Sequence, residues 1–390
     1  MPFFKSADFI DARARTEYIF FGLATFLIFF MNAQAALLST AFAQYGLSLS
    51  EIGLLLSLYG VPVVIVTVFT GKIATWLGSL GSARWGTVIM TLAFMSLAVT
   101  GDSFWPALLS RLTWGIGYGL MFAPLFTYAQ SRITGARFVY LLGLFSSMAP
   151  LAQAVGPPFA EFVLGHGGAR FMFTLGAVPA MAGAVILFFM RPLAKPPAAH
   201  GLALGAAFSP SRRIPMVTVF VAGSLFGFLA AYMAPFLHAK GVSIAWYFVA
   251  MTIGIFSTRF IGLGLFQRLD PRAVVGCGMV VMAAAYFTLV VVQQPLAVAA
   301  CGILFGSGYS VVYPVLSAWV SEGLNASERA GPQALFNAMF NIGLLWMPLP
   351  ITGLVALFGY GGALQALALM ALVMAGFLGW RAVMRGRSQG

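Results

Sequence analysis

The chain has 390 residues, 61% of them hydrophobic and only 8% charged, with a net charge of +12 at pH 7. Soluble chains carry roughly a quarter charged residues, so this composition, with a mean hydropathy of +0.95, excludes a soluble globular protein and marks an integral membrane protein. The positive excess does not point to nucleic acid, because Lys and Arg lie between apolar runs rather than clustered on one solvated face; they carry topology instead.

In chain order, the first residues hold Lys5, Asp8, Asp11, Arg13, Arg15 and Glu17. The apolar run that follows is too long for the core of a cleavable signal, so it is expected to be a retained first transmembrane helix. Twelve apolar segments follow one another at about 18–40, 51–71, 85–100, 105–128, 138–162, 170–190, 215–237, 246–266, 274–292, 296–320, 334–356 and 361–384. Each is long enough to span, the third and ninth being short. With the N-terminus inside, the outer loops hold only Arg170 and Lys240, Arg111 and Arg259 fall within helices, and every other Lys and Arg is on the inner side. That asymmetry places both termini in the cytoplasm. Cys277 and Cys301 fall near opposite ends of adjacent helices, roughly 15–20 Å apart at the helical rise, too far to bridge.

The longest connection, 191–214, contains Pro192, Pro196, Pro197, Pro210 and the pair Arg212-Arg213. It reads as a flexible cytoplasmic strap between a six-helix bundle over 1–190 and a second over 215–390. The two halves look like copies. A shift of 191 lays Gly71 on Gly262, Gly115 on Gly306, Gly117 on Gly308, Tyr118 on Tyr309, Met148 on Met339 and Pro157 on Pro348. Weak internal symmetry at half the length is a transporter signature, with the substrate site near the midplane between repeats. The fourth segment breaks that symmetry. Arg111 precedes Gly115, Gly117 and Gly119, whereas the same register of the second half holds Gly302. A charge in lipid is expensive, so Arg111 should face protein or water, while the glycines let neighbouring helices approach closely.

These features resemble the major facilitator superfamily: twelve helices, a six-plus-six duplication and a central cytoplasmic linker. Arg111 to Gly119 resembles that family's fourth-helix arginine motif, found in proton-coupled members. Gly156-Pro157 resembles the core of the antiporter motif without its upstream glycines. In the second-to-third loop, Thr75 stands where the family's acid is expected, between Gly71 and Gly78, while Arg259, Gly262, Asp270 and Arg272 keep the second copy nearer to form. The tenth helix, with Gly306, Gly308, Tyr313 and Pro314, resembles bacterial sugar-efflux-like and drug-antiporter permeases, which favours export. The resemblance implies an all-α membrane fold of two pseudo-symmetric six-helix bundles and a cavity lined by helices one, four, seven and ten, helped by two, five, eight and eleven.

Central polar and aromatic residues on those helices are Asn32, Gln34, Arg111, Tyr118, Gln153, Tyr232, Met233, Tyr309, Tyr313, Asn337, Asn341 and Trp346. Amides with aromatics suit a flat or amphipathic organic ligand; the alternative is hydrogen bonding between helices. Arg111 either binds an anionic substrate or answers a proton-carrying acid, or else pins helix contacts. Arg259 is expected to pair with inner gate loops near Asp270. Among the nine acids, Glu161 is the one expected inside a helix, which makes it the coupling candidate, with His238 second.

Nineteen methionines raise a transition-metal, copper-type cargo held by Met233 and His238, though methionine in apolar helices ordinarily packs. No paired-histidine zinc motif or P-loop lysine motif is present, the Gly-x-Gly at Gly115 is mid-membrane, and Asn325-Ala326-Ser327 falls in an inner loop. The reading is a secondary transporter of a small organic solute in a bacterial inner membrane. No enzyme activity, cofactor or nucleic-acid partner is expected, and the chain is expected to act as a monomer, with a non-transporting membrane receptor as a further alternative.

Overall fold

A computed structural model describes residues 12–133, 138–192, 209–266, 269–324 and 330–389. Lys5, Asp8 and Asp11, most of the expected linker (193–208), Arg268 and the Asn325 sequon lie outside the described residues. Contacts divide the chain into two compact units, Met1–Glu51 with Leu58–His200, and Ile52–Ser57 with Gly201–Gly390.

The first half of the chain carries α1 (Ala12–Ala33), a 3-10 turn (Gln34–Leu37), α2 (Leu38–Gln44), α3 (Leu49–Leu58), α4 (Gly60–Thr100), α5 (Phe104–Arg132), α6 (Phe138–Ser146) and α7 (Met148–Phe189). The second carries α8 (Arg213–Ala231), α9 (Met233–Ala239), α10 (Ala245–Phe266), α11 (Pro271–Val291), α12 (Pro295–Val320), α13 (Ala330–Trp346) and α14 (Pro348–Gln389). Helix covers each of the twelve apolar segments. Among the described residues eight stretches meet the length and apolarity needed to cross a bilayer, and two of these, Leu141–Phe189 and Leu335–Ala382, are long enough to hold two segments each.

Glycine sets the sharp reversals. Gly78 (φ 74°), Gly168 (φ 72°) and Gly359 (φ 70°) interrupt α4, α7 and α14 in the left-handed region, which a side chain rarely enters. The inner loop expected over 72–84 is therefore helix on both sides of Gly78, because one left-handed glycine makes the turn.

Proline sets the gentler breaks. A proline ring clashes with the carbonyl four residues earlier and removes a helical donor. Helix α3 ends at Leu58, four before Pro62; α6 ends at Ser146, four before Pro150; α8 ends at Ala231, four before Pro235; α13 ends at Trp346, four before Pro350. Four of the segments are thus broken before a proline, and the first is broken at the 3-10 turn Gln34–Leu37; discontinuous helices are the kind of element from which transporters build sites.

Large apolar side chains face outward. Trp76, Trp105, Phe189, Phe260, Leu357 and Val373 each expose two thirds or more of their surface, which fits lipid and would be a severe liability in water. Helix C-termini, whose last carbonyls lack helical partners, are closed by cations. Arg84 donates to Leu187 O (2.9 Å), Phe188 O (3.1 Å) and Met190 O (2.6 Å). In the other unit the Lys240 ammonium donates to Leu289 O, Val290 O and Val292 O at 2.7–2.8 Å. Burial lowers the Lys240 pKa from its ordinary value, since leaving water disfavours the charged form.

Candidate functional site

In the first unit, α5 lies so close to α4 at Gly115 and Gly117 that no larger side chain fits at those two positions. A Cβ on Gly117 would sit 2.5 Å from Met90 N and 2.7 Å from Gly86 O, and one on Gly115 would sit 2.5 Å from Tyr59 O. Membrane helices associate through such small-residue contacts, because lipid supplies no hydrophobic drive between them. Side-chain hydrogen bonds cross the same seam, from Thr70 to Gly119 O (3.1 Å) and Ser82 to Leu120 O (2.8 Å).

Arg111 stands two turns into this helix and is 3% exposed. Its guanidinium carbon lies 4.2 Å from the Tyr59 ring centroid and 4.5 Å from that of Trp114. Both distances are within cation–π range, and such pairs strengthen when water is excluded. Trp114 packs edge-on to Phe94 at 5.1 Å, and Tyr118 stacks on Phe122 at 5.4 Å. The arginine is thus clasped by rings from α5 and from the α3–α4 break at Tyr59.

The amides of this unit divide. Gln34 is fully buried, and its Nε2 donates to Gly176 O at 3.2 Å. A Cβ on Gly176 would collide with the Gln34 carboxamide, so that glycine admits it. Asn32, Tyr118 and Gln153 are half-buried. Gly156, from the motif-like pair with Pro157, brings α7 onto α1, where a Cβ would lie 2.8 Å from Phe30 O.

In the second unit Tyr232 and Met233 are fully buried at the α8–α9 break, and Tyr232 shares a hydrogen bond with Thr352. The remaining candidates assemble on α12 and α13. The Tyr309 ring lies 4.2 Å from Phe226 and 6.0 Å from Tyr313. Tyr313 packs on Phe336 and Phe340 at 5.2 and 5.1 Å, and its hydroxyl donates to Asn337 Oδ1 at 2.7 Å. Asn341 Nδ2 donates to Asn337 O at 2.9 Å. Asn337 and Trp346 are exposed, while Tyr309, Tyr313 and Asn341 are half-buried. This face offers open aromatic surface beside amides, two of which are already oriented by neighbours.

The coupling candidates differ in their surroundings. Glu161 is half-buried on α7, and His238 is exposed in the last turn of α9, five residues from the buried Met233. No group of three or more His, Cys, Asp or Glu able to hold a metal occurs among the described residues, and Cys277 and Cys301 are free. Arg259 is half-buried on α10, with its Nε buried and unmatched by a hydrogen-bond acceptor among the described residues. Asp270 caps α11: it accepts from Arg272 N at 2.7 Å and lies 4.0 Å from Arg272 Nη1.

One site escaped the sequence reading. Glu17, expected in the N-terminal tail, lies in α1 and is 7% exposed. Its carboxylate meets Arg191 at 2.8 Å, Arg132 at 3.2 Å and Arg13 at 3.4 Å. Arg132 also donates to Tyr128 Oη and Arg191 O, both at 2.8 Å. The expectation that Glu161 is the one acid inside a helix is therefore corrected: Glu17 and Glu51 also lie in helices, α1 and α3. The available signal was the pair Arg13 and Glu17, spaced one helical turn apart.

Against this geometry, two solved structures align over nearly their whole lengths. The nucleoside transporter NupG matches with a TM-score of 0.76 and 16% identity, covering 93% of this chain and 98% of its own. An auto-inhibited peptide transporter of the POT family matches with a TM-score of 0.75 and 11% identity, covering 94% of this chain and 96% of its own. At such identities the likeness is one of fold. Among curated proteins none matches by sequence. The family model described as Major Facilitator Superfamily matches residues 19–266 and again 214–389. With that model spanning nearly the whole sequence and the fold shared with two transporters, the chain belongs to the Major Facilitator Superfamily.

Proposed function

We propose that this transporter carries a small, flat organic solute by alternating exposure of one site to the two sides of a bacterial inner membrane, in the direction of export. The fold in this reading is twelve spans in two six-helix bundles, 1–190 and 215–390, with both termini and the linker 191–214 in the cytoplasm. The chain acts as a monomer, catalyses no covalent change and needs no cofactor; a solute or ion gradient drives it.

The observation that carries the substrate class is the face formed by Tyr309, Tyr313, Asn337 and Asn341, walled by Phe226 and Phe340. Aromatic rings give area for stacking, and the amides give a few directional bonds, which together fit an aromatic solute. Asn32, Tyr118 and Gln153 are the first-unit residues proposed to join them. Arg111, enclosed by Tyr59 and Trp114, is proposed to act on transport by holding α5 in place, which favours an aromatic cargo over a simple anion.

The test is counterflow in proteoliposomes, with and without an imposed pH gradient, using a panel of flat aromatic solutes beside sugars and simple anions. Asn341→Ala and Tyr309→Ala should each lower transport about tenfold, the scale of one lost hydrogen bond or stacking contact, with normal insertion. Faster movement of sugars or simple anions than of aromatics would overturn the substrate class. Absence of any counterflow would overturn transport of this kind.

A further inference from the structure

The second unit carries a half-open cavity of about 770 Å³ that shares no residue with the Tyr309 face. Arg212, Arg213, Arg272 and Arg381 line it, together with Trp319 and, as the one carboxylate among the described residues, Glu322. These residues come from helix ends: Arg213 opens α8, Arg272 lies in the first turn of α11, Trp319 in the last turn of α12, and Arg381 near the end of α14.

Gathering four guanidinium groups around one carboxylate is unfavourable by Coulomb repulsion unless an anion answers them. Local contacts account for part of the donor capacity. Arg212 Nε donates to Val320 O at 3.0 Å. Arg272 lies over Trp319 at 5.4 Å, and Arg381 lies beside Phe377 at 5.5 Å and Trp380 at 5.8 Å. Arg272 keeps buried donors at Nε and Nη1 with no hydrogen-bond partner among the described residues; the nearby Asp270 carboxylate stands 4.0 Å from Nη1, an ion pair too long for a hydrogen bond. Buried donors of this kind ordinarily have an acceptor. The first turns of α8 and α11, which border the cavity, add the partial positive charge of helix N-termini. The arginine fork matches the oxygens of a phosphate.

We propose that this cavity binds a phosphate-bearing anion, the chemistry shared by anionic lipid headgroups and free phosphate. Aromatic side chains stand at the same helix ends, with Trp380 56% and Phe377 38% exposed, as expected at headgroup level. Basic pockets between helix ends on the cytoplasmic side are suited to such headgroups.

The experiment is native mass spectrometry of the purified full chain with phosphatidylglycerol or phosphatidylcholine, beside thermal shift with inorganic phosphate. The proteins compared are the wild type, Arg213→Gln, Arg381→Gln and Arg272→Gln. Arg213 and Arg381 are exposed, so their variants keep the test open if Arg272→Gln fails to fold. Wild type should retain phosphatidylglycerol over phosphatidylcholine, with affinity falling about fivefold for each arginine removed; this result identifies a lipid headgroup. Stabilisation by inorganic phosphate that the variants lose, without lipid preference, identifies free phosphate. Equal retention of both lipids in wild type and variants, with no phosphate shift, would overturn the site.

Discussion

Each half of the chain brings two of its helices together through a pair of glycines. In the first, Gly117 of α5 meets Gly86 of α4; in the second, a Cβ on Gly308 of α12 would lie 2.6 Å from Gly278 O of α11. Gly115 approaches the backbone at Tyr59, and Gly306 approaches that at Met251. The backbone approach is therefore repeated, and what fills the next turn differs. The first unit places Arg111 between two rings, whereas a Cβ on Gly302 would sit 2.5 Å from Tyr247 O. The two units thus share close backbone contacts at corresponding glycines and differ in the adjoining turn. The charged helix ends diverge in the same way: a carboxylate clasped by three arginines in the first unit, and four arginines around one carboxylate in the second.

The strongest way to break this comparison is Gly302→Arg, which writes the first unit's arginine into the second. With the Tyr247 backbone against it, the variant should yield no monodisperse protein on size exclusion; normal yield would mean that the second unit has room after all. Next comes Glu17→Gln, which strips the countercharge from Arg132 and Arg191. It should lower stability by about 3 kcal/mol, read as a fall in detergent melting temperature, with part of the loss recovered in Glu17→Gln/Arg132→Gln. An unchanged melt would remove the cluster from the account of stability. Arg111→Ala should lose about 2 kcal/mol of cation–π stabilisation and slow transport while still inserting; wild-type melting and rates together would end its role. The smallest effect belongs to Asp270→Asn, which keeps a good helix cap and removes an ion pair stretched to 4.0 Å, changing stability by less than about 1 kcal/mol. A larger fall would show that the second unit depends on its charged helix end as the first does.

The membrane class, the helical segments and the glycine register were readable because composition and spacing act locally, through transfer into lipid and through the helical repeat. Four helix breaks fall four residues before Pro62, Pro150, Pro235 or Pro350, yet Pro124, Pro157, Pro179 and Pro314 sit inside continuous helix. A proline marks a place that can break; neighbouring helices settle whether it does. The turn at Gly78 likewise shortened a loop that charge alone placed over 72–84.

For the site, residue type narrowed the candidates and packing sorted them. Gln34 and Asn341 are both amides on apolar helices. One is sealed against Gly176, and the other is half-buried beside Tyr313 and Asn337. Glu17 lay hidden because a helix boundary says nothing of what lies across from it, and its partners Arg132 and Arg191 are more than a hundred residues away. Insertion and helical periodicity come from energies paid within one segment, so the linear order of residues carries them. Whether Arg111 meets solvent or two rings, and whether the Arg212-Arg213 pair shares one cavity with Arg272 and Arg381, depends on contacts between segments far apart in the chain, and those exist once the helices have packed.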